Sequence, residues 1–160
     1  MNRIEIITER LILKPLGTEH FQTTKEHSMD YENTKYMCRL PKKTSEEVME
    51  FLSCVDAEWK KEKPEYYEFA IFYEGKAYWG NGFAYEAAKA MIEYFAVNMG
   101  TSHFVAHCDA ENIASYKIME KLGMTKISGQ SKRRNRAASQ DSFEYRYEMF
   151  APNCDLDCAI

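Results

Sequence analysis

Hydrophobic and polar positions change their spacing several times along the chain, and each change marks an element. Between Ile4 and Leu16, Leu11 and Leu13 alternate with polar or aliphatic neighbours and the run stops near Pro15, which predicts a strand. A short helix is predicted from about Thr18 to Met29. Thr44 with Glu47 three residues later is a capping-box pattern, and Val48, Phe51, Leu52, Val55 and Trp59 follow at helical spacing. Pro64 ends that region, and the aromatic-rich Tyr67–Tyr73 reads as a strand closed by Gly75. Ala84, Ala87, Ala88, Met91, Ile92, Phe95 and Met99 share one helical face, with Gly100 as a natural stop. Ser102–Asp109 predicts a strand and Glu111–Leu122 a helix ended by Gly123. Two strands beginning at Met124 and Asp141 flank a basic loop. This order points to an α/β or α+β domain with one strong strand–helix–strand unit.

A length of 160 residues allows one domain with a sizeable core, here expected over residues 1–150 with a tail at 151–160. Hydrophobic residues make up 45%, which excludes a disordered chain. A net charge of -4 makes nucleic acid an unexpected partner. Membrane association is unexpected too, because no apolar run approaches the ~20 residues a span needs. The first ten residues lack a signal-peptide core, so the expected compartment is the cytoplasm. Cys38, Cys54, Cys108, Cys154 and Cys158 are odd in number and irregularly spaced, which suits free thiols. Cys154 and Cys158 beside Asp155 and Asp157 make half of a metal site at most, and a polar tail is the preferred reading; no metal is expected.

The stretch Trp79–Ala84, "WGNGFA", places bare backbone at a helix start. Helix N-termini carry unpaired N–H groups and partial positive charge, and residues without bulky side chains let an anion approach them. A dinucleotide fingerprint would need a third glycine where Tyr85 stands. A Walker loop would need Lys-Ser/Thr where Tyr85-Glu86 stands. Asn81-Gly82 also fits a plain hairpin turn, although a helical pattern, not a strand, comes directly after it. From the fragment alone, an anion cradle and a structural turn stand equal.

"WGNGFA" resembles motif A of the GNAT acyltransferases, Q/R-x-x-G-x-G/A, matching at Gly82 and Ala84 with Trp79 in place of the usual Gln or Arg. "DAENIASYKIMEKLGM" is similar to the second signature of the branch that acetylates ribosomal-protein N-termini, Asn-x-x-Ser followed by Glu-Lys-x-Gly, and "TERLILKPL" looks like that branch's first strand. The resemblance covers roughly Thr8–Leu16 and Tyr78–Met149. It implies the GNAT acyl-CoA N-acyltransferase fold, a mixed sheet flanked by helices. It also implies acetyl-CoA as cosubstrate and a primary amine as acceptor, either a protein N-terminal α-amine or a small amine. Trp79, Gly80, Asn81, Gly82, Phe83 and Ala84 would then hold the coenzyme A diphosphate, and Asn112 and Ser115 would line the pantetheine arm. Asn112 and Ser115, three apart, share one face at a helix start. Asn112 also reads as a helix cap, and the two roles are compatible.

The family places an antiparallel strand pair between the strand like Tyr67–Tyr73 and motif A. Only Lys76 and Ala77 separate Gly75 from Tyr78, which is too short for two strands of ~5–6 residues with turns. The expectation is a sheet shortened to about five strands, with Tyr67–Tyr73 paired in parallel to Ser102–Asp109. The strand that often supplies a catalytic carboxylate is among those missing; Glu68 and Glu74 are candidate substitutes. Met119 stands where many relatives carry a tyrosine that protonates the leaving thiolate, which leaves Ser115 as the nearest donor. His103 and His107 share a strand face without a third metal ligand, and Lys132–Arg136 reads as a solvated loop. The alternative to an enzyme is a coenzyme A-binding or interaction protein of GNAT ancestry with weak turnover. The oligomeric state stays open.

Overall fold

The computed structural model describes residues 4–38, 44–73, 81–127, 131–135 and 141–151. They divide into two compact units, one drawn from Met1–Gly75 and Arg134–Asp141, the other from Lys76–Arg133 and Ser142–Ile160.

The first unit opens on a hairpin. β1 (Ile6–Ile7) pairs antiparallel with β2 (Ile12–Pro15), and β2 pairs antiparallel with β3 (Phe69–Phe72). The single strand expected over Ile4–Leu16 is thus two. Thr8 turns the chain, its Oγ1 accepting the Leu11 N–H at 2.8 Å while its own N–H bonds the Leu11 carbonyl at 2.9 Å. α1 (Phe21–Met29) follows a single 3-10 turn at Thr18–His20. α2 (Tyr31–Thr34) starts on Asp30, whose carboxylate accepts the Glu32 and Asn33 N–H groups, a cap that periodicity over so few residues does not reveal. α3 (Ser45–Trp59) begins with the reciprocal box read from the sequence: Thr44 Oγ1 accepts the Glu47 N–H at 3.2 Å, and Glu47 accepts the Thr44 N–H at 3.3 Å. It buries Val48, Leu52 and Val55 completely, and burial on this scale contributes roughly 1.5–3 kcal/mol per side chain.

In the second unit α4 (Phe83–Met99) runs to Gly100, whose φ of 64° is the left-handed stop the sequence predicts. β4 (His103–Asp109) leads into α5 (Ile113–Lys121). β7 (Ser142–Phe150) is the centre of the sheet: β4 pairs along one edge, from His103 opposite Phe150 to Asp109 opposite Glu144. β5 (Thr125–Lys126) and β6 (Ser131–Arg133) pair with the other edge. β6 lies inside the stretch read as a loop; with three residues it carries no period of its own. Alternation along β4 and β7 sorts the faces. Cys108 and Tyr147 are buried with Met119 and Met124, with Phe104, Ala106 and Tyr145 packed against them, while His103, Val105 and His107 are exposed.

The expected α/β (α+β) class with sheets flanked by helices holds, but one expected strand pairing does not. The parallel pairing of Tyr67–Tyr73 with Ser102–Asp109 is not among the described strand pairs. β3 takes its whole four-residue register from β2 and β4 its seven-residue register from β7, all antiparallel. The described architecture is two antiparallel sheets with helices.

Candidate acyl-coenzyme A site

α4 starts on Gly82, which adopts φ 78° and ψ 10°. Only glycine takes this left-handed conformation without steric cost. The first helix-closing bond runs from the Glu86 N–H to the Gly82 carbonyl at 3.0 Å. Ahead of it, the Ala84 and Tyr85 N–H groups have no partner among the described residues. Asn81 and Gly82 are exposed, so this end of a 17-residue helix presents backbone donors next to a residue that has no side chain. Lys121 Nζ lies 4.2 Å above the Tyr85 ring, which brings a cation to the same first turn. Trp79 and Gly80 lie outside the described residues.

Asn112 caps α5, its Oδ1 accepting the Ser115 N–H at 3.1 Å. The Asn112 amide N–H groups and the Ser115 hydroxyl have no bonded partner among the described residues, and both residues are half-buried. The arrangement therefore keeps one amide donor and one hydroxyl available at the same helix end.

Asp109, the last residue of β4, is a constituent that periodicity did not flag. It is 1% exposed; its Oδ1 accepts the Glu111 N–H at 2.8 Å, its Oδ2 the Ser142 hydroxyl, and its carbonyl the Asn112 N–H at 3.0 Å. The signal was in "DAEN", an acidic residue three positions before the cap Asn112.

Other candidates resolve differently. Met119 is buried in the core with Cys108, Met124 and Tyr147, so it packs. Burial pushes the Cys108 thiol up, which keeps it protonated and unreactive. His103 Nε2 lies 3.1 Å from Glu148 and His107 Nδ1 2.9 Å from Glu144. Desolvation pushes Glu144 up, but its bonds to His107 and to Arg133 at 2.8 Å outweigh that and hold it below the usual carboxylate range. Arg134 pairs with Asp141 at 2.5 Å. Two arginines of the basic stretch are therefore held by carboxylates. Glu68, in the first unit, is exposed as a residue, yet local desolvation raises its carboxyl pKa. Glu74, Cys154 and Cys158 lie outside the described residues.

Residues 53–125, from α3 to β5, match the model of the acetyltransferase (GNAT) domain. That segment resembles a GNAT acetyltransferase domain. A 47-residue stretch is 45% identical to the uncharacterized N-acetyltransferase YnaD of Bacillus subtilis (strain 168), spanning 29% of this chain and 28% of that protein. The fold is that of GNAT acetyltransferases. The structure of a GNAT-family acetyltransferase from Bacillus anthracis aligns over 92% of this chain and 98% of that one, with a TM-score of 0.68 and 25% identity. The ribosomal L7/L12 α-N-protein acetyltransferase RimL in complex with coenzyme A aligns over 92% and 98%, with a TM-score of 0.75 and 15% identity. Among the described residues no helix is long and apolar enough to cross a membrane.

Proposed function

We propose that the chain is an acetyl-CoA-dependent N-acetyltransferase acting on a primary amine, and that its second unit holds coenzyme A at the starts of α4 and α5. The observation that carries this reading is the left-handed Gly82 ahead of two N–H groups without partners among the described residues. Phosphate oxygens accept from such donors, and the N-terminal end of the helix dipole favours their charge. The available amide of Asn112 suits an arm that contains amides, and Ser115 adds a hydroxyl donor beside it. The chemistry is attack of a neutral amine nitrogen on the thioester carbonyl. A C–N bond forms, the C–S bond breaks, and the amine proton ends in solvent or on the departing thiolate. RimL, by its description, acts on the α-amine of a ribosomal protein. That likeness makes a peptide α-amine the first acceptor to test.

The competing reading is a coenzyme A-binding protein with weak turnover. Residues 73–82 separate β3 from α4, fewer than two further strands of ~5–6 residues with turns require. Two measurements on the full chain decide. Calorimetry with coenzyme A is expected to show one site per chain. Mass detection of an acetylated peptide with acetyl-CoA present is expected to show turnover. Binding without turnover favours the second reading; absence of binding overturns both.

A further inference from the structure

We infer that Asp109 and Ser142 are positioning residues for the Asn112–Ser115 end of α5, and so set the affinity for coenzyme A without touching it. The inference rests on the reading that Asn112 and Ser115 contact the coenzyme. A carboxylate buried to 1% exposure is costly unless hydrogen bonds compensate it, and an apolar side chain would fill the same place at lower cost. Here both oxygens are used directionally. Oδ1 pulls in the Glu111 N–H and Oδ2 takes the Ser142 hydroxyl at the start of β7. The Asp109 carbonyl holds the Asn112 N–H, and the intervening Ala110 N–H bonds the Phe143 carbonyl at 2.8 Å. The turn over Asp109–Asn112 is thus tied at one side to the first residues of β7 and at the other to the cap of α5. Rotating this turn moves the Asn112 amide and the Ser115 hydroxyl together. Core packing alone requires none of these directional bonds.

The test uses Asp109→Asn, Asp109→Ala and Ser142→Ala in the full chain. Asparagine keeps an acceptor for the Glu111 N–H, and its amide can donate to the Ser142 oxygen, which can accept. Asp109→Ala is expected to weaken coenzyme A binding and raise KM for acetyl-CoA roughly tenfold, with kcat lowered by a smaller factor through the displaced Ser115 hydroxyl, because the Glu111 N–H and the Ser142 hydroxyl lose an acceptor. Asp109→Asn is expected to stay within about threefold of wild type. A second readout needs no coenzyme: hydrogen exchange at the Ser115 amide is expected to accelerate roughly fivefold in Asp109→Ala and to remain near wild type in Asp109→Asn. Should Asp109→Ala fail to fold, Ser142→Ala removes one tie only and is expected to show the same KM-against-kcat split at smaller size. Unchanged coenzyme affinity in the folded variant overturns the inference while leaving the coenzyme site intact. Equal impairment of both Asp109 variants also overturns it. No coenzyme binding by wild type defeats the underlying site reading instead, and the Ser115 exchange rates then still report whether Asp109 sets the turn.

Discussion

The Asn112 side-chain oxygen accepts the Ser115 backbone N–H at 3.1 Å, so the asparagine proposed to contact coenzyme A is also the cap of α5. The two roles use different atoms of one amide. Aspartate and asparagine cap about equally well, but aspartate has no N–H to donate. Asn112→Asp is therefore expected to keep the melting temperature and lose coenzyme A affinity. Asn112→Ala is expected to lose both, with a stability cost of ~1 kcal/mol. Thermal unfolding beside calorimetry separates the roles. Undiminished coenzyme affinity in the aspartate variant removes Asn112 from the site.

Gly82 offers a similar separation. Its φ of 78° disfavours most side chains by roughly 1–2 kcal/mol, whereas asparagine visits this region more readily. Gly82→Asn is expected to fold with near-normal stability but to place a side chain where an anion must approach. Gly82→Val carries backbone strain as well. The expected calorimetric order of coenzyme affinity is wild type, asparagine, valine. Equal affinity in a folded asparagine variant contradicts the cradle.

Tyr147 reports on the core of the second unit. It is 1% exposed and its hydroxyl donates to Glu120 Oε1 at 3.1 Å; burial first, then this carboxylate, push its pKa up to about 12. The unfolded value is near 10. Between these limits the folded chain keeps a proton that the unfolded chain releases, so stability falls as pH rises from about 10 to about 12. The total effect is on the order of 2–3 kcal/mol. Tyr147→Phe is expected to flatten that part of the alkaline stability profile in urea titrations while changing neutral-pH stability by no more than ~1 kcal/mol. Identical alkaline slopes for the two proteins refute the assignment.

Much of this was legible because local rules and tertiary context agree. The Thr44–Glu47 box, the face of Val48, Leu52 and Val55, and the stop at Gly100 all appear where spacing places them. The glycine at the start of α4 and the cap at Asn112 were legible as residue types at helix starts, whereas the left-handed conformation of Gly82 was not. Strand pairing was not legible. The sequence contains Phe69–Phe72 and His103–Asp109 as strands, but nothing local says that one aligns on Ile12–Pro15 and the other on Glu144–Phe150. The hairpin at Thr8 was hidden because its two short strands share one apolar character, and a side-chain hydroxyl rather than Gly or Pro turns the chain. Asp109 was hidden because its importance lies in bonds to Ser142 and to the turn ahead of it, one partner being 33 residues away.

The last prediction concerns the acceptor. If the attacking amine must be neutral, its pKa sets how much is ready. A peptide α-amine near 7.7–8.0 is roughly 15–25% neutral at pH 7.2, whereas a lysine side chain near 10.4 is neutral to less than ~0.1%. A lysine acceptor therefore depends on a base, and the carboxylates beside the two helix starts among the described residues are Glu86 in the first turn of α4, Glu111 before the cap of α5, and Asp109, whose two oxygens already accept the Glu111 N–H and the Ser142 hydroxyl. The leaving thiol, with a pKa near 8.5 by analogy with cysteine, departs with little help. The Ser115 hydroxyl, half-buried and without an intrachain partner among the described residues, is placed to give that help as one hydrogen bond. Most of the rate would come from positioning, which Ser115→Ala leaves in place because the cap uses the backbone N–H of residue 115 and not its side chain. Ser115→Ala is thus expected to lower kcat by about tenfold while changing KM for acetyl-CoA and melting temperature little. A panel of free α-amine peptides and N-terminally blocked lysine peptides, assayed from pH 6.5 to 8.5, is expected to show α-amine preference and a rate rising with pH up to the acceptor pKa. A lysine preference, or an alanine variant with unchanged kcat, rules this mechanism out.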